Sequence, residues 1–273
     1  MLTQIQINRF ITGFSVESQL QAEQISAHFG KAAQTYEQSA RLQREVAFDA
    51  LRFLPQQQQG TLLDLGCGPG WFHHNLSSFC DELIALDLSA AMLEQAKRHG
   101  IARRLIQANA AQIPLPDDSV DTVFSSLMLQ WCPDPAPVFA EIARVLKPGG
   151  HFVLTTLVEE SMHEFQQAWH QTGQKPPILS FSPVADYLRA ARANGLSCHG
   201  QQKTFQLFFP DVFTLAREFK QVGANYTGLK AGSVPGLVGR GHWQRFADAY
   251  QRNLTTQGLP LSYQVLFIFG QMR

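Results

Sequence analysis

Apolar positions along this 273-residue chain change their period several times, and each change marks an element. Residues 1–24 are polar and irregular and read as a flexible leader. From Ile25 to Leu54 apolar side chains recur at helical spacing (Phe29, Ala32, Ala33, Tyr36, then Leu42, Val46, Phe48, Leu51), which predicts one or two helices ending at Pro55. The glutamines at 56–59 read as a short solvated linker. Strand-like runs then alternate with helical ones. Strands are predicted at 61–65, 82–86, 104–108, 120–125 and 151–157, with Pro114–Asp118 as a turn. Helices are predicted near 71–79, from a Ser89 cap to His99, and over 138–146. Gly100 and Lys147-Pro148-Gly149-Gly150 stand where helices should stop.

Strands and helices at this spacing imply right-handed crossovers and a mostly parallel sheet with helices on both faces. Beyond Val158 the register loosens. Helices are expected at 161–170, 184–194, 211–222 and 242–256, and strands at 204–209 and 262–269. The fold expected is a single α/β domain over 25–273 built on a seven-stranded sheet. It divides into an N-terminal helical cap (25–60), a core (61–157) and a 158–273 region. That last region holds the closing strands and a helical insertion able to act as a lid.

Composition narrows the setting. Twenty phenylalanines point to an aromatic-rich interior or an apolar ligand tunnel. No run approaches the ~20 apolar residues that span a bilayer, and no signal-peptide pattern opens the chain. Four scattered cysteines form no C-x-x-C pair, so a reduced, cytoplasmic protein without membrane attachment is expected. His73 and His74 are adjacent and would point apart on a helix, so no metal site is expected. Zero net charge and a pI near 7.1 give no reason to invoke nucleic acid. Charge is uneven, however. Residues 61–150 hold six lysines and arginines against ten acids, and residues 201–252 hold seven against three.

The chemistry-bearing stretch is Asp64-Leu65-Gly66-Cys67-Gly68-Pro69-Gly70, directly after the first strand. Three glycines at alternate positions let a charged small molecule meet bare backbone. Trp71 replaces the glycine that a dinucleotide fingerprint from Gly66 would need, and no phosphate-binding lysine follows. In an open α/β sheet ligands bind at the carboxyl ends of the strands. Asp87, at the end of the second, can accept both hydroxyls of a ribose. Asn109 and Ala110, at the end of the third, can read an adenine edge. Ser125 through Gln130 and Trp131, at the end of the fourth, would border the reactive end. Together they describe a pocket for an adenosine with an amino-acid tail, foremost S-adenosylmethionine.

These motifs in this order, with Ile113-Pro114-Leu115-Pro116-Asp117-Asp118 and Val145-Leu146-Lys147-Pro148-Gly149-Gly150, resemble the class I S-adenosylmethionine-dependent methyltransferases. From Ile25 onward the chain is more closely similar to the malonyl-[acyl-carrier-protein] O-methyltransferases of biotin synthesis. That likeness rests on Phe29–Gln38, Leu129-Gln130-Trp131-Cys132, Thr155-Thr156-Leu157-Val158, Gln167-Ala168-Trp169 and Leu261-Ser262-Tyr263. The resemblance implies a Rossmann-like class I methyltransferase fold. It implies that Asp64, Gly66, Cys67, Gly68 and Gly70 hold the methionine moiety, that Leu88 and Met92 line the adenine side, and that Tyr36 closes over the cofactor. Asn109 departs from the usual aspartate but keeps an acceptor oxygen. The implied product is S-adenosylhomocysteine, and the implied partner is malonyl-acyl-carrier protein or malonyl-coenzyme A.

A carboxylate substrate is ionised at neutral pH and needs no general base. Tyr36, Gln130 and Trp131 are therefore expected to act by positioning and by excluding water. Arg41, Arg217, Lys220 and Arg245 are candidates for meeting an anionic substrate or an acidic carrier. Other class I chemistries stay open: a quinone-precursor C-methyltransferase, a small-acid O-methyltransferase, or a cofactor-binding regulator.

Overall fold

The computed structural model describes residues 23–27, 29, 40–56, 60–174, 176–221 and 240–273, with side chains for all of these except 218–221 and 240. Strands β1 (Thr61–Leu65), β2 (Glu82–Asp87), β3 (Arg104–Gln107), β4 (Val120–Ser126) and β5 (Leu146–Leu157) pair in parallel. Strand β7 (Leu259–Met272) runs antiparallel between β5 and β6 (Leu196–Phe209). The sheet order is β3-β2-β1-β4-β5-β7-β6, so the winding direction reverses between β1 and β4. That reversal opens a crevice at the carboxyl ends of the two strands.

From Arg41 on, the α-helices of the described residues are α1 (Arg41–Ala50), α2 (His73–Leu76), α3 (Ala90–His99), α4 (Ala136–Val145), α5 (His163–His170), α6 (Val184–Ala193), α7 (Val212–Gln221) and α8 (Arg240–Gln251). Successive strand side chains point to opposite faces, and both faces are covered. On one, Leu62, Phe124 and Val153 pack with Leu42 and Val46 of α1 and Phe246 of α8. On the other, Leu63, Val123 and Leu154 pack with Phe139 and Ile142 of α4 and Ala191 of α6. Helix α3 shows the local logic: Ser89 Oγ accepts from Met92 N at its start, and Gly100 at φ +65° closes it. Lys97, Arg98 and His99 complement the negative end of its dipole.

Several boundaries differ from the pattern-based expectation. Strand β6 begins at Leu196 rather than near 204, because it is the edge strand and pairs with β7 alone. Its residues 199–204 are exposed, so no apolar alternation marks them. Strand β5 begins at Leu146, taking in the Lys147–Gly150 stop. Its pairing with β4 slips between Val120 and Thr122, and Gly149 turns at φ +76°. The helix expected over 71–79 is one turn, α2, followed by a 3₁₀ turn at Ser77–Phe79. Residues 23–27 are helical, and the rest of the leader lies outside the described residues.

Candidate functional site

The glycine loop crosses the crevice mouth and is tied to the neighbouring strand. Gly66 N and Cys67 N both donate to Leu86 O, at 2.8 and 3.0 Å. All three glycines take left-handed backbone, with φ of +78°, +57° and +77°. A Cβ on Gly66 would meet Met128 Cγ at 2.5 Å, and one on Gly70 would meet the Ala96 backbone at 2.9 Å. A Cβ on Gly68 would meet nothing within 4 Å. Two of the glycines thus exist for close protein packing, and the middle one faces open space.

Asp87 locks this loop. Its Oδ2 accepts from Gly68 N at 2.9 Å and its Oδ1 from Ser89 N at 2.8 Å. One lone pair per oxygen is left for a ligand. Burial pushes its carboxyl up to about 6, against the pull of the Ser89 and Gly68 amides and with a small upward push from Asp64. The next strand end is drawn alongside, since Ala108 N donates to Asp87 O. Asn109 Oδ1 accepts from Ala111 N at 3.0 Å, forming a turn that exposes one remaining acceptor site beside buried Ala110. Leu88 O accepts from Ser26 Oγ and Gln107 Nε2, and Met92 is buried behind it.

On the other side of the loop a cleft is lined by Asp64, Gly66–Pro69, Trp71 and Phe72. Gln43 and Ala47 of α1 and Phe124 and Ser126 of β4 complete its wall. Cys67 donates its thiol to Gly68 O. Burial, then Asp87 and Asp64, push that thiol well above its ordinary value, so it stays protonated and is no nucleophile. Among the described residues no group of three or more histidines, cysteines and acids is poised for a metal.

The loop after β4 continues from Ser126, and its residues, Gln130 and Trp131 included, are not among those lining the cleft. Leu127 sits at φ +52°, with its N–H donating to Thr155 Oγ1 and its carbonyl accepting from Gln130 Nε2 at 2.6 Å. Thr156 Oγ1 donates to Gln130 Oε1. The Gln130 amide is thus engaged in bracing its own loop. Buried Ser125 donates to Leu65 O at 2.6 Å, tying β4 to β1. Trp131 meets Phe29 edge-to-face at 4.9 Å. Arg41 is exposed on α1, and Arg217 and Arg245 are exposed on the helices between β6 and β7. Tyr36 and the Lys220 side chain lie outside the described residues.

Sequence reasoning missed Gln43, Ala47 and Phe124, which reach the cleft from elements far apart in the chain, while Ser126 belongs to the stretch expected at the reactive end. It also weighed His73 only as half of a metal pair. The ring is fully buried, with Nε2 3.4 Å from Asp64 Oδ2 and neither nitrogen hydrogen-bonded. The signal was available: His73 stands three residues beyond Gly70, in the first helical turn after the loop.

Comparison with known proteins identifies the family. The family model described as a methyltransferase domain matches residues 63–154. A malonyl-[acyl-carrier protein] O-methyltransferase of Yersinia pestis is 37% identical over 245 residues, spanning 89% of this chain and 89% of that protein. A biotin biosynthesis bifunctional protein of Cellvibrio japonicus is 36% identical over 249 residues, spanning 90% of this chain but only 49% of that protein. Among solved structures, the YcgJ protein of Bacillus subtilis matches with a TM-score of 0.59 at 19% identity, over 84% of this chain and 98% of that one. At that identity the likeness shows the fold alone.

Proposed function

This chain belongs to the malonyl-[acyl-carrier protein] O-methyltransferase family, and from that premise we propose that it methylates the free carboxylate of a malonyl thioester with S-adenosylmethionine. The thioester is malonyl-acyl-carrier protein, with malonyl-coenzyme A as the other form of the same group. The product methyl ester hides the charge, so that chain elongation can proceed towards the pimeloyl precursor of biotin in the cytoplasm.

The observation that carries the reading is the pairing of Gly68 with Asp87. The bare face of Gly68 opens to space beside a carboxylate with one unspent lone pair on each oxygen. These residues fit the adenosine and amino-acid ends of the cofactor. Asp87 would take the ribose hydroxyls, and Asn109 and Ala110 the adenine edge. Asp64 and the glycine loop would take the methionine end, where a carboxylate suits an ammonium group. Bound there, S-adenosylmethionine supplies a methyl carbon activated by its sulfonium leaving group.

The protein's own contribution is alignment and dryness. No side chain has to remove a proton, because a malonyl carboxylate is already ionised at pH 7. Charge disappears between carboxylate and sulfonium as they react, so a poorly solvating wall favours the transition state. Trp71, Phe72 and Phe124 supply that wall on the cleft side. Gln130, held by Leu127 and Thr156, keeps the loop carrying Trp131 in one shape. Incubation with S-adenosylmethionine and malonyl-carrier protein, followed by intact-mass measurement, tests the proposal. One added methyl group on the malonyl carrier is expected. Methylation of a free small acid with none on the carrier or on malonyl-coenzyme A would overturn it.

A further inference from the structure

Helix α1 has two working faces. Leu42, Val46, Ala47 and Ala50 are buried, and Gln43 with Ala47 walls the cleft. The opposite side presents Arg41, Arg44 and Phe48, continued by Arg52 in the following 3₁₀ turn, with one acid, Glu45, exposed beside them. Steps of three and four residues put these four in one line along the helix. Phe48 is 53% exposed although it is a large apolar side chain, and its ring meets Phe72 of the cleft wall edge-to-face at 5.2 Å.

The cations of this line lie over aromatic rings. Arg41 stands 4.8 Å over Phe209, Arg44 5.8 Å over Trp71, and Arg52 4.9 Å over Phe53. Lys203 of the neighbouring edge strand lies 4.6 Å over Phe205. Stacking of this kind fixes long side chains before any partner arrives, which lowers the entropy lost on binding. Asp49 pairs with Lys203 and reaches Arg52 at 4.0 Å. The end beside the cleft mouth carries Arg41 and Arg44, with Trp71 shared between Arg44 and the cleft.

We propose that this face of α1, Arg41–Arg44–Phe48, is the surface on which an acidic carrier protein docks to deliver its tethered acyl group into the cleft. The inference rests on the reading of a carrier-bound malonyl substrate and locates the partner. Acyl carriers are acidic, and a row of pre-stacked arginines with one exposed phenylalanine meets an acidic helical surface by charge at the rim and apolar contact at its centre. The position matters as much as the charge. A docking face on the cleft's own wall leaves a short path for a flexible thioester arm. Arg217 and Arg245 instead sit on helices between β6 and β7.

The test compares two substrates and two charge reversals. Malonyl-carrier protein and the small malonyl-N-acetylcysteamine thioester are assayed with wild type, with Arg41→Glu/Arg44→Glu, and with Arg217→Glu/Arg245→Glu. For the α1 pair, kcat/KM on the carrier should fall about tenfold more than on the small thioester, and most of the salt dependence should vanish. The second pair should leave the ratio between substrates within about twofold of wild type. Retained cofactor binding and an unchanged melting temperature guard against misfolding, with Arg41→Gln/Arg44→Gln as a milder version. Equal losses on both substrates, or a carrier-specific loss only in the second pair, would overturn the surface. If wild type methylates neither substrate, the malonyl reading itself fails. Binding of unacylated carrier to wild type but not to Arg41→Glu/Arg44→Glu then decides the docking face separately, and equal binding to both refutes it.

Discussion

The two halves of the sheet hold their ligand-side structure by different means. In the parallel half, β3-β2-β1-β4, the strand ends are tied by backbone amides and short polar side chains: Gly68 and Ser89 to Asp87, Ala108 to Asp87 O, Ala111 to Asn109. In the antiparallel half, β5-β7-β6, the same edge is held by large rings and buried charge. Phe165, Trp169 and Phe246 pack at 4.9–5.5 Å between α5 and α8, and Glu164 of α5 accepts from Ser262 N and Oγ. The first half, the proposed cradle, takes its shape from backbone. The second is a packed annex whose shape is side chains. Mutations should therefore separate binding from stability according to the half they strike.

The largest effect belongs to Gly70→Ala. An alanine at φ +77° costs ~1–2 kcal/mol in backbone strain. Its Cβ would also face the Ala96 backbone at 2.9 Å, an overpacking worth ~1–3 kcal/mol more. A melting temperature lowered by roughly 4–15 °C is expected. Titration calorimetry should show loss of cofactor binding. Gly68→Ala tests the cradle in contrast, since no protein atom opposes its Cβ. It should melt nearer to wild type while binding cofactor poorly. If both variants unfold alike, Gly68 is a packing glycine and the cradle reading is wrong.

The annex should respond in the opposite sense. Glu164→Ala leaves the Ser262 amide and hydroxyl without their buried acceptor. A loss of ~2–4 kcal/mol in stability follows, read by denaturant unfolding, with cofactor affinity nearly unchanged. Glu164→Gln keeps one acceptor oxygen and should recover about half of that loss.

Asp87→Asn acts chiefly on binding, at an intermediate size, and also costs the loop one of its two ties, because an amide NH₂ cannot accept from Gly68 N or Ser89 N. Removing the charge from two ribose hydrogen bonds should weaken the cofactor roughly 10–100-fold. The pH profile carries the sharper signature. In the ligand-free protein the acid titrates near 6, so wild-type affinity should rise as pH climbs through about 6 and level off above it. Because the fold raises this pKa, the folded state holds the proton more tightly than the unfolded chain. The group's contribution to ligand-free stability is therefore largest below about 4 and falls between about 4 and 6. Both dependences should be absent in Asp87→Asn. An unchanged affinity profile in that variant would assign the titration to another group.

The same division governs what could be read from the chain. The loop and strand ends of the parallel half were legible in position almost residue by residue, because their information is local: glycines at alternate positions, an acid at a strand end, an asparagine starting a turn. Asp64, Gly68, Asp87 and Asn109 sit where their motifs put them. The annex was legible only as the presence of helices and strands. Strand β6 has an exposed, polar middle, and only its ladder with β7 reveals it as a strand. The Glu164–Ser262 contact joins residues 98 apart in the chain, and no local pattern encodes such a pair. Gln130 shows the limit inside a recognised motif. Its position was legible, and its engagement with Leu127 and Thr156 was not.

Phe29 is where the two means of construction meet, and it offers the smallest and most discriminating change. Ser26 and Phe29 reach both sides of the crevice, through Ser26 Oγ on Leu88 O and through the Phe29 ring on Trp131. Theirs is thus a side-chain contact laid across a backbone-built site. An edge-to-face pair of this kind contributes ~0.5–1.5 kcal/mol beyond its buried area. If that energy holds the segment over the cofactor, Phe29→Ala should weaken cofactor binding about 2–10-fold and leave the melting temperature within about 2 °C. The dissociation rate should rise more than the association rate falls, since a cover that still forms slows escape more than entry. Stopped-flow fluorescence of Trp131 would follow both rates. A drop in melting temperature without a change in affinity would instead make the pair part of the packed structure, and the cradle would end at Leu88.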